Sequence, residues 1–161
     1  MVSNNYSQND VEMMRLAIAQ ARKCTDVSTA YNVGAVIIDK DGQILSTGYS
    51  RQFPGNTHAE QCALMALQST ADSSEQLAEA LKNAIMYTTM EPCSKRLSGN
   101  VPCVQRILDC GIRKVFVGIM EPPNFVECSG VEELENAGVT VVHVTELEQE
   151  CKHLNSHLVE D

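Results

Sequence analysis

The sequence has no long basic run. Lys and Arg number 12 against 21 Asp and Glu, for a net charge of −9. A nucleic-acid binder that works through phosphate contacts needs the opposite balance, so nucleic acid is not an expected partner. A small substrate remains compatible, because a local basic pocket can sit in an acidic protein. No apolar run approaches the ~20 residues that cross a bilayer as a helix, so no membrane association is expected. The first residues, MVSNNYSQND, lack the apolar centre of a secretory leader. The seven cysteines form an odd set. Without a leader, that favours reduced thiols in a cytoplasmic compartment. Neither a linker nor an internal repeat divides the chain. Residues 1–8 are polar with little to bury and are expected to form a disordered tail, leaving 9–161 as a single domain with a real core.

Periodicity gives the elements. Asp10 is expected to cap a helix whose Val11, Met14, Ile18 and Ala21 make one buried stripe. Residues 33–39 and 44–49 read as strands joined at Asp41-Gly42, hence an antiparallel hairpin. Thr57 is expected to open a second helix, with Ala59, Cys62, Ala63 and Ala66 small enough for close packing on a sheet. Further strands are expected near 84–88, 114–119 and 139–144. Helices near 102–110 and 131–137 separate them, and an amphipathic helix over 147–158 closes the chain. The late βαβαβ units imply parallel strands with crossover helices. The expectation is a three-layer α/β/α fold around a five-stranded mixed sheet.

Three short segments carry the chemistry: His58-Ala59-Glu60, Pro92-Cys93 and Pro102-Cys103. Catalytic zinc takes three protein ligands and leaves a fourth position to water. His58, Cys93 and Cys103 can supply the three, and a helix N-terminus stabilises thiolate. Glu60, two residues after His58, points about 200° away on a helix and need not bind the same metal. It can instead move protons at the zinc-activated water. Each piece alone has a plainer reading. Thr57-x-x-Glu60 is a capping box, and Cys93 and Cys103 could be buried thiols. Their joint occurrence points to zinc deaminase chemistry, with Glu60 as a non-ligand acid/base.

Those residues, with Asn32-Val33-Gly34-Ala35 and Glu91-Pro92-Cys93-Ser94, resemble the cytidine/deoxycytidylate deaminase superfamily. Residues 47–51, 54–64 and 89–103 are similar, more narrowly, to the riboflavin-biosynthesis deaminases. The best match is the fungal branch, which acts on 2,5-diamino-6-ribitylamino-4(3H)-pyrimidinone 5'-phosphate. Nine residues, Ser94 to Pro102, separate Cys93 from Cys103. Most other branches carry Cys-x-x-Cys, whereas the riboflavin enzymes have a longer insertion that can reach the sugar phosphate.

The resemblance implies a cytidine-deaminase-like fold, one Zn2+ per chain, a small pyrimidine phosphate substrate and assembly into a homodimer or larger homo-oligomer. It implies zinc on His58, Cys93 and Cys103, with Glu60 catalytic. Tyr31, Asn32 and Gly34 are expected to line the base pocket. Ser50, Arg51, Asn56, Ser94, Lys95, Arg96 and Asn100 are further candidates for substrate contact, with Arg51, Lys95 and Arg96 as possible phosphate ligands. Two other readings stay open here. A cytosine, nucleoside or tRNA-base deaminase of the same superfamily would share the zinc set, although an RNA substrate needs a basic channel. A purely structural zinc module would close the fourth position with another protein ligand, such as Cys62.

Overall fold

The computed structural model describes residues 2–122 and 128–158. The helix α1 (Gln8–Ala21) starts on a capping box. The Ser7 hydroxyl accepts the Asp10 N–H at 3.2 Å, and the Asp10 carboxylate accepts the Ser7 N–H at 2.8 Å. Asp10 is thus the partner of the cap and not the cap itself. Its other oxygen accepts the buried Tyr87 hydroxyl at 2.7 Å, which ties α1 to the sheet.

The sheet runs β2-β1-β3-β4-β5. β1 (Gly34–Ile38) is antiparallel to both β2 (Ile44–Tyr49) and β3 (Ile85–Met90). β4 (Lys114–Ile119) and β5 (Thr140–His143) continue parallel to β3. Side chains alternate across this sheet as strand geometry requires. Ala35 and Ile37 join one core with α2 (Ala59–Thr70), α4 (Cys103–Cys110) and α5 (Gly130–Asn136). Val36 and Ile38 join a second core with α1 and α6 (Glu148–His153). The result is the expected three-layer α/β/α arrangement, with α3 (Ser74–Leu81) between α2 and β3 in sequence.

Two glycines let helices lie close on the sheet. A Cβ on Gly48 would sit 2.3 Å from the Ala59 carbonyl oxygen and 2.6 Å from the Ala63 nitrogen. A Cβ on Gly34 would sit 1.9 Å from the Ala17 carbonyl oxygen. The small residues of α2 and the missing Cβ of Gly48 are therefore two halves of one contact, which holds the start of α2 over the sheet.

The chain departs from expectation at both ends. The N-terminal segment, expected to be disordered, pairs with β5: Ser3 N–H donates to Val141 O at 3.1 Å, and His143 N–H donates to Ser3 O at 2.7 Å. An edge strand presents unpaired backbone groups, and backbone pairing does not require apolar side chains. The expected closing helix is interrupted. A 3-10 turn over Thr145–Leu147 precedes α6, and another over Ser156–Leu158 follows it. Of the expected rigid loop 121–124, residues 123 and 124 lie outside the described residues. No described helix is long and apolar enough to cross a membrane.

Candidate active site

Three elements converge at the C-terminal ends of the parallel strands β3 and β4, where open α/β sheets place their ligands. The first is the start of α2. The helix begins at Ala59, with His58 as its N-cap in extended conformation, φ −90° and ψ 159°. The expected capping box on Thr57 and Glu60 does not form. The Thr57 hydroxyl bonds instead to the backbone of Phe53, and Gln61 Oε1 accepts the His58 N–H at 3.3 Å. Because His58 stands outside the helix, the 200° separation from Glu60 does not apply. Both side chains reach the same sulfur.

That sulfur belongs to Cys103, the first residue of α4, with Pro102 as N-cap. Cys93 lies in the loop after β3. His58 Nδ1 is 3.5 Å from the Sγ of Cys93 and 3.5 Å from the Sγ of Cys103. Tetrahedral zinc with nitrogen near 2.1 Å and sulfur near 2.3 Å places N and S about 3.5 Å apart. The observed spacing matches that edge, and two thiols with an imidazole are a donor set suited to zinc. Among the described residues, the cluster whose ligand atoms all lie within 4.8 Å consists of these three. Cys62 is not part of it and is fully buried in the core beside β2.

The thiols are coupled. The backbone N–H of Cys103, at the head of α4, donates to Cys93 Sγ at 3.3 Å. A hydrogen bond from the Cys103 thiol, then the His58 ring, holds the Cys93 thiol well below its ordinary value. The same bond to Cys93, burial, and the Glu60 carboxylate push the Cys103 thiol up. The pair releases one proton readily and shares the other, as suits a site whose second proton leaves when a cation arrives.

Glu60 is 3% exposed. Its Oε1 accepts the Thr88 hydroxyl at 2.7 Å, and its Oε2 lies 3.3 Å from the Cys103 Sγ. A buried carboxylate beside the candidate metal ligands, held by a residue of β3, is placed to exchange protons with whatever is bound there.

Above this floor opens a cavity of about 160 Å³. Tyr31, Ser50, Arg51, Asn56, Lys95 and Arg96 line it, together with His58, Glu60 and Cys93. Asn32, Gly34, Ser94 and Asn100 are not among its described lining residues. Along the extended segment before β1, Tyr31 and Val33 face the cavity and Asn32 faces away. The Asn32 amide is engaged by Asp26 and Arg51, each at 2.6 Å. Gly34 lies against α1 instead. Ser94 Oγ accepts the Ser129 N–H at 3.0 Å and so ties the loop to α5. Asn100 is exposed at the loop's end.

Two of the expected phosphate ligands already have internal partners. Arg51 donates to the carbonyls of Tyr31 and Thr25 at 3.0 Å each. Arg96 donates to Asn56 O at 2.7 Å and Gln61 Oε1 at 2.9 Å, while its Nε is buried without a partner. Lys95 is exposed at the rim.

Sequence reasoning missed two carboxylates and a hydroxyl. Glu91 is a clamp: its oxygens accept the N–H of Glu121 at 3.0 Å and of Val131 at 2.9 Å, tying the Cys93 loop to the ends of two other elements. Glu121 lines the cavity, and burial, followed by the charges of Cys93, Glu60 and Glu91, pushes it up to about 7. The available signal was its position just past a parallel strand. Thr88, inside β3, carried no signal at all.

With this geometry in view, residues 7–119 match the family model of the cytidine and deoxycytidylate deaminase zinc-binding region, and the chain belongs to that family. Within it, the chain is 45% identical over 145 residues to the diaminohydroxyphosphoribosylamino-pyrimidine deaminase of Schizosaccharomyces pombe, covering 89% of this chain and 34% of that protein. It is 35% identical over 147 residues to the riboflavin biosynthesis protein RibD of Aquifex aeolicus, covering 91% and 37%. The chain thus spans about a third of the length of these relatives. Among solved structures, the Aspergillus oryzae Rib2 deaminase in complex with DARIPP superposes with a TM-score of 0.80 at 33% identity, covering 94% of this chain and 92% of that one. A cyanophage dCMP deaminase shares the fold, with a TM-score of 0.62 at 21% identity.

Proposed function

We propose that this chain is a zinc-dependent hydrolytic deaminase of riboflavin biosynthesis. Its substrate is 2,5-diamino-6-ribitylamino-4(3H)-pyrimidinone 5'-phosphate, and its products are the 5-amino-6-ribitylamino-uracil phosphate and ammonia. The observation that carries this reading is the buried Glu60 carboxylate set against the His58, Cys93 and Cys103 cluster at the floor of an open cavity. The named relatives supply the substrate class.

In this reading His58, Cys93 and Cys103 hold the zinc, which supplies the Lewis acidity that makes a water nucleophilic near neutral pH. Glu60 takes a proton from the attacking water and passes it to the ring nitrogen beside C2. A second proton leaves with the amine, so the C2–N bond breaks, the C2–O bond forms, and ammonia departs. Tyr31 and Ser50 form the pocket wall. Lys95 is our candidate for the phosphate, because Arg51 and Arg96 are already engaged by the chain. We place the enzyme in the cytoplasm as a homodimer or larger homo-oligomer, with a small-molecule substrate and no nucleic acid. The resemblance to biosynthetic deaminases supports this, and light scattering tests the oligomer.

The decisive assay is ammonia release by zinc-loaded protein, comparing the ribitylamino and ribosylamino substrates with cytosine and cytidine. Release from the ribitylamino compound is expected. Release from cytidine or cytosine alone would move the enzyme to another branch. Tight zinc with no turnover of any substrate would favour a structural metal module.

A further inference from the structure

Arg96 stands three residues after Cys93, and its guanidinium reaches the segments that lead to both other candidate ligands. Nη2 donates to the carbonyl of Asn56, two residues before His58. Nη1 donates to the carbonyl of Val101, two residues before Cys103, at 3.3 Å. The same Nη1 donates to Gln61 Oε1, and that oxygen also accepts the backbone N–H of His58. One planar cation therefore binds together the stretches that carry all three ligands. Asn56 itself has φ 55°, a left-handed backbone that asparagine adopts more readily than most other non-glycine residues. The carbonyl it presents in that conformation is the one Arg96 takes.

We propose that Arg96 is a positioning residue that holds His58, Cys93 and Cys103 at ligand spacing through Gln61 and the carbonyls of Asn56 and Val101. The inference rests on the metal reading given above. It reassigns a side chain expected on the phosphate. A guanidinium suits the task because its donors are fixed in a plane and reach several acceptors at once, and lysine offers a single flexible point charge. Gln61 is the junction, since one oxygen serves both Arg96 and the His58 backbone. Partners that orient metal ligands from outside the coordination sphere are commonly worth 10–100-fold in metal affinity.

The test measures zinc affinity by competition with a chromogenic chelator, beside the d–d absorption of the cobalt-substituted protein and its thermal unfolding. Arg96→Met and Arg96→Lys are expected to stay folded, to bind zinc about 10–100-fold more weakly and to show an altered cobalt spectrum. Gln61→Met is expected to weaken zinc similarly. Gln61→Glu, which keeps the acceptor, is expected to bind zinc at least as well as the parent. The Arg96→Met, Gln61→Met double variant should be no worse than the weaker single, because both break one network. A folded Arg96→Met protein with parental zinc affinity and cobalt spectrum, and only KM raised, would make Arg96 a substrate ligand and overturn the proposal. Should Arg96→Met fail to fold, zinc affinity for Gln61→Met equal to or above that for Gln61→Glu would overturn it, and weaker binding by Gln61→Met would support it. A parent protein that does not bind zinc would overturn the metal reading as well.

Discussion

Thr88, fully buried on β3, donates its hydroxyl to Glu60 Oε1 at 2.7 Å. The bond joins the central sheet to the start of α2 and fixes the direction in which the carboxylate faces. Replacing Thr88 with Val removes it at nearly constant volume. We expect kcat to fall about tenfold, the equivalent of about 1.4 kcal/mol, with KM little changed. An unchanged kcat would show that Thr88 only packs.

Glu60→Gln keeps the side chain's size and removes its proton exchange. Turnover should fall by about 10²–10⁴-fold. Zinc content by atomic absorption should stay near that of the parent, because Glu60 lies outside the three-residue ligand cluster. Dialysis of the parent against a strong chelator should remove activity and lower its thermal midpoint, and added zinc should restore both.

Gly34→Ala and Gly42→Ala separate two uses of glycine. At Gly34 an added Cβ would meet backbone atoms of α1 at 1.9 and 2.6 Å. Since neither partner is a flexible side-chain end, a loss of at least ~2 kcal/mol is expected by denaturant unfolding. At Gly42 nothing lies within 4 Å, but φ is +86°. There the cost should be about 1 kcal/mol, from conformation alone.

Glu121 supplies a pH dependence. Its folded value of about 7 lies above the ordinary 4.5, chiefly because of burial and then because Cys93, Glu60 and Glu91 are close. A group whose value rises on folding contributes fully below its unfolded value and loses that contribution as pH climbs to the folded one. Zinc-free protein should therefore lose stability between about pH 4.5 and about pH 7 through this group. Glu121→Gln should remove that component, so the variant gains on the parent as pH rises through the window. Parallel stability curves for the two proteins would refute the assignment.

Much of the fold was legible because its signals are local. The β4 run at 114–119 and the hairpin at Asp41-Gly42 are set by neighbouring residues. The start of α2 shows where local signals stop. Thr57-x-x-Glu60 and His58-x-x-Gln61 both have the spacing of a capping box. The chain adopts the second, where Thr57 is drawn to Phe53 and Arg96, 35 residues away, meets Gln61. That one-residue choice leaves Glu60 free of capping and takes His58 out of the helix. Likewise Asn32 and Tyr31 are adjacent in a recognisable motif, yet alternation along the extended chain puts Tyr31 on the cavity and turns Asn32 toward Arg51.

The sequence by itself determined the order of helices and strands, the layer arrangement they imply, and the residue types able to bind zinc and move protons. Tertiary structure decided which of those side chains meet. His58 is 35 residues from Cys93 and 45 from Cys103, and no local preference spans that distance. Their 3.5 Å approach exists because Gly48 lets α2 lie close on the sheet, Glu91 clamps the Cys93 loop, and α4 begins at Cys103. Backbone preference is fixed within a few residues, whereas a binding site is fixed by packing.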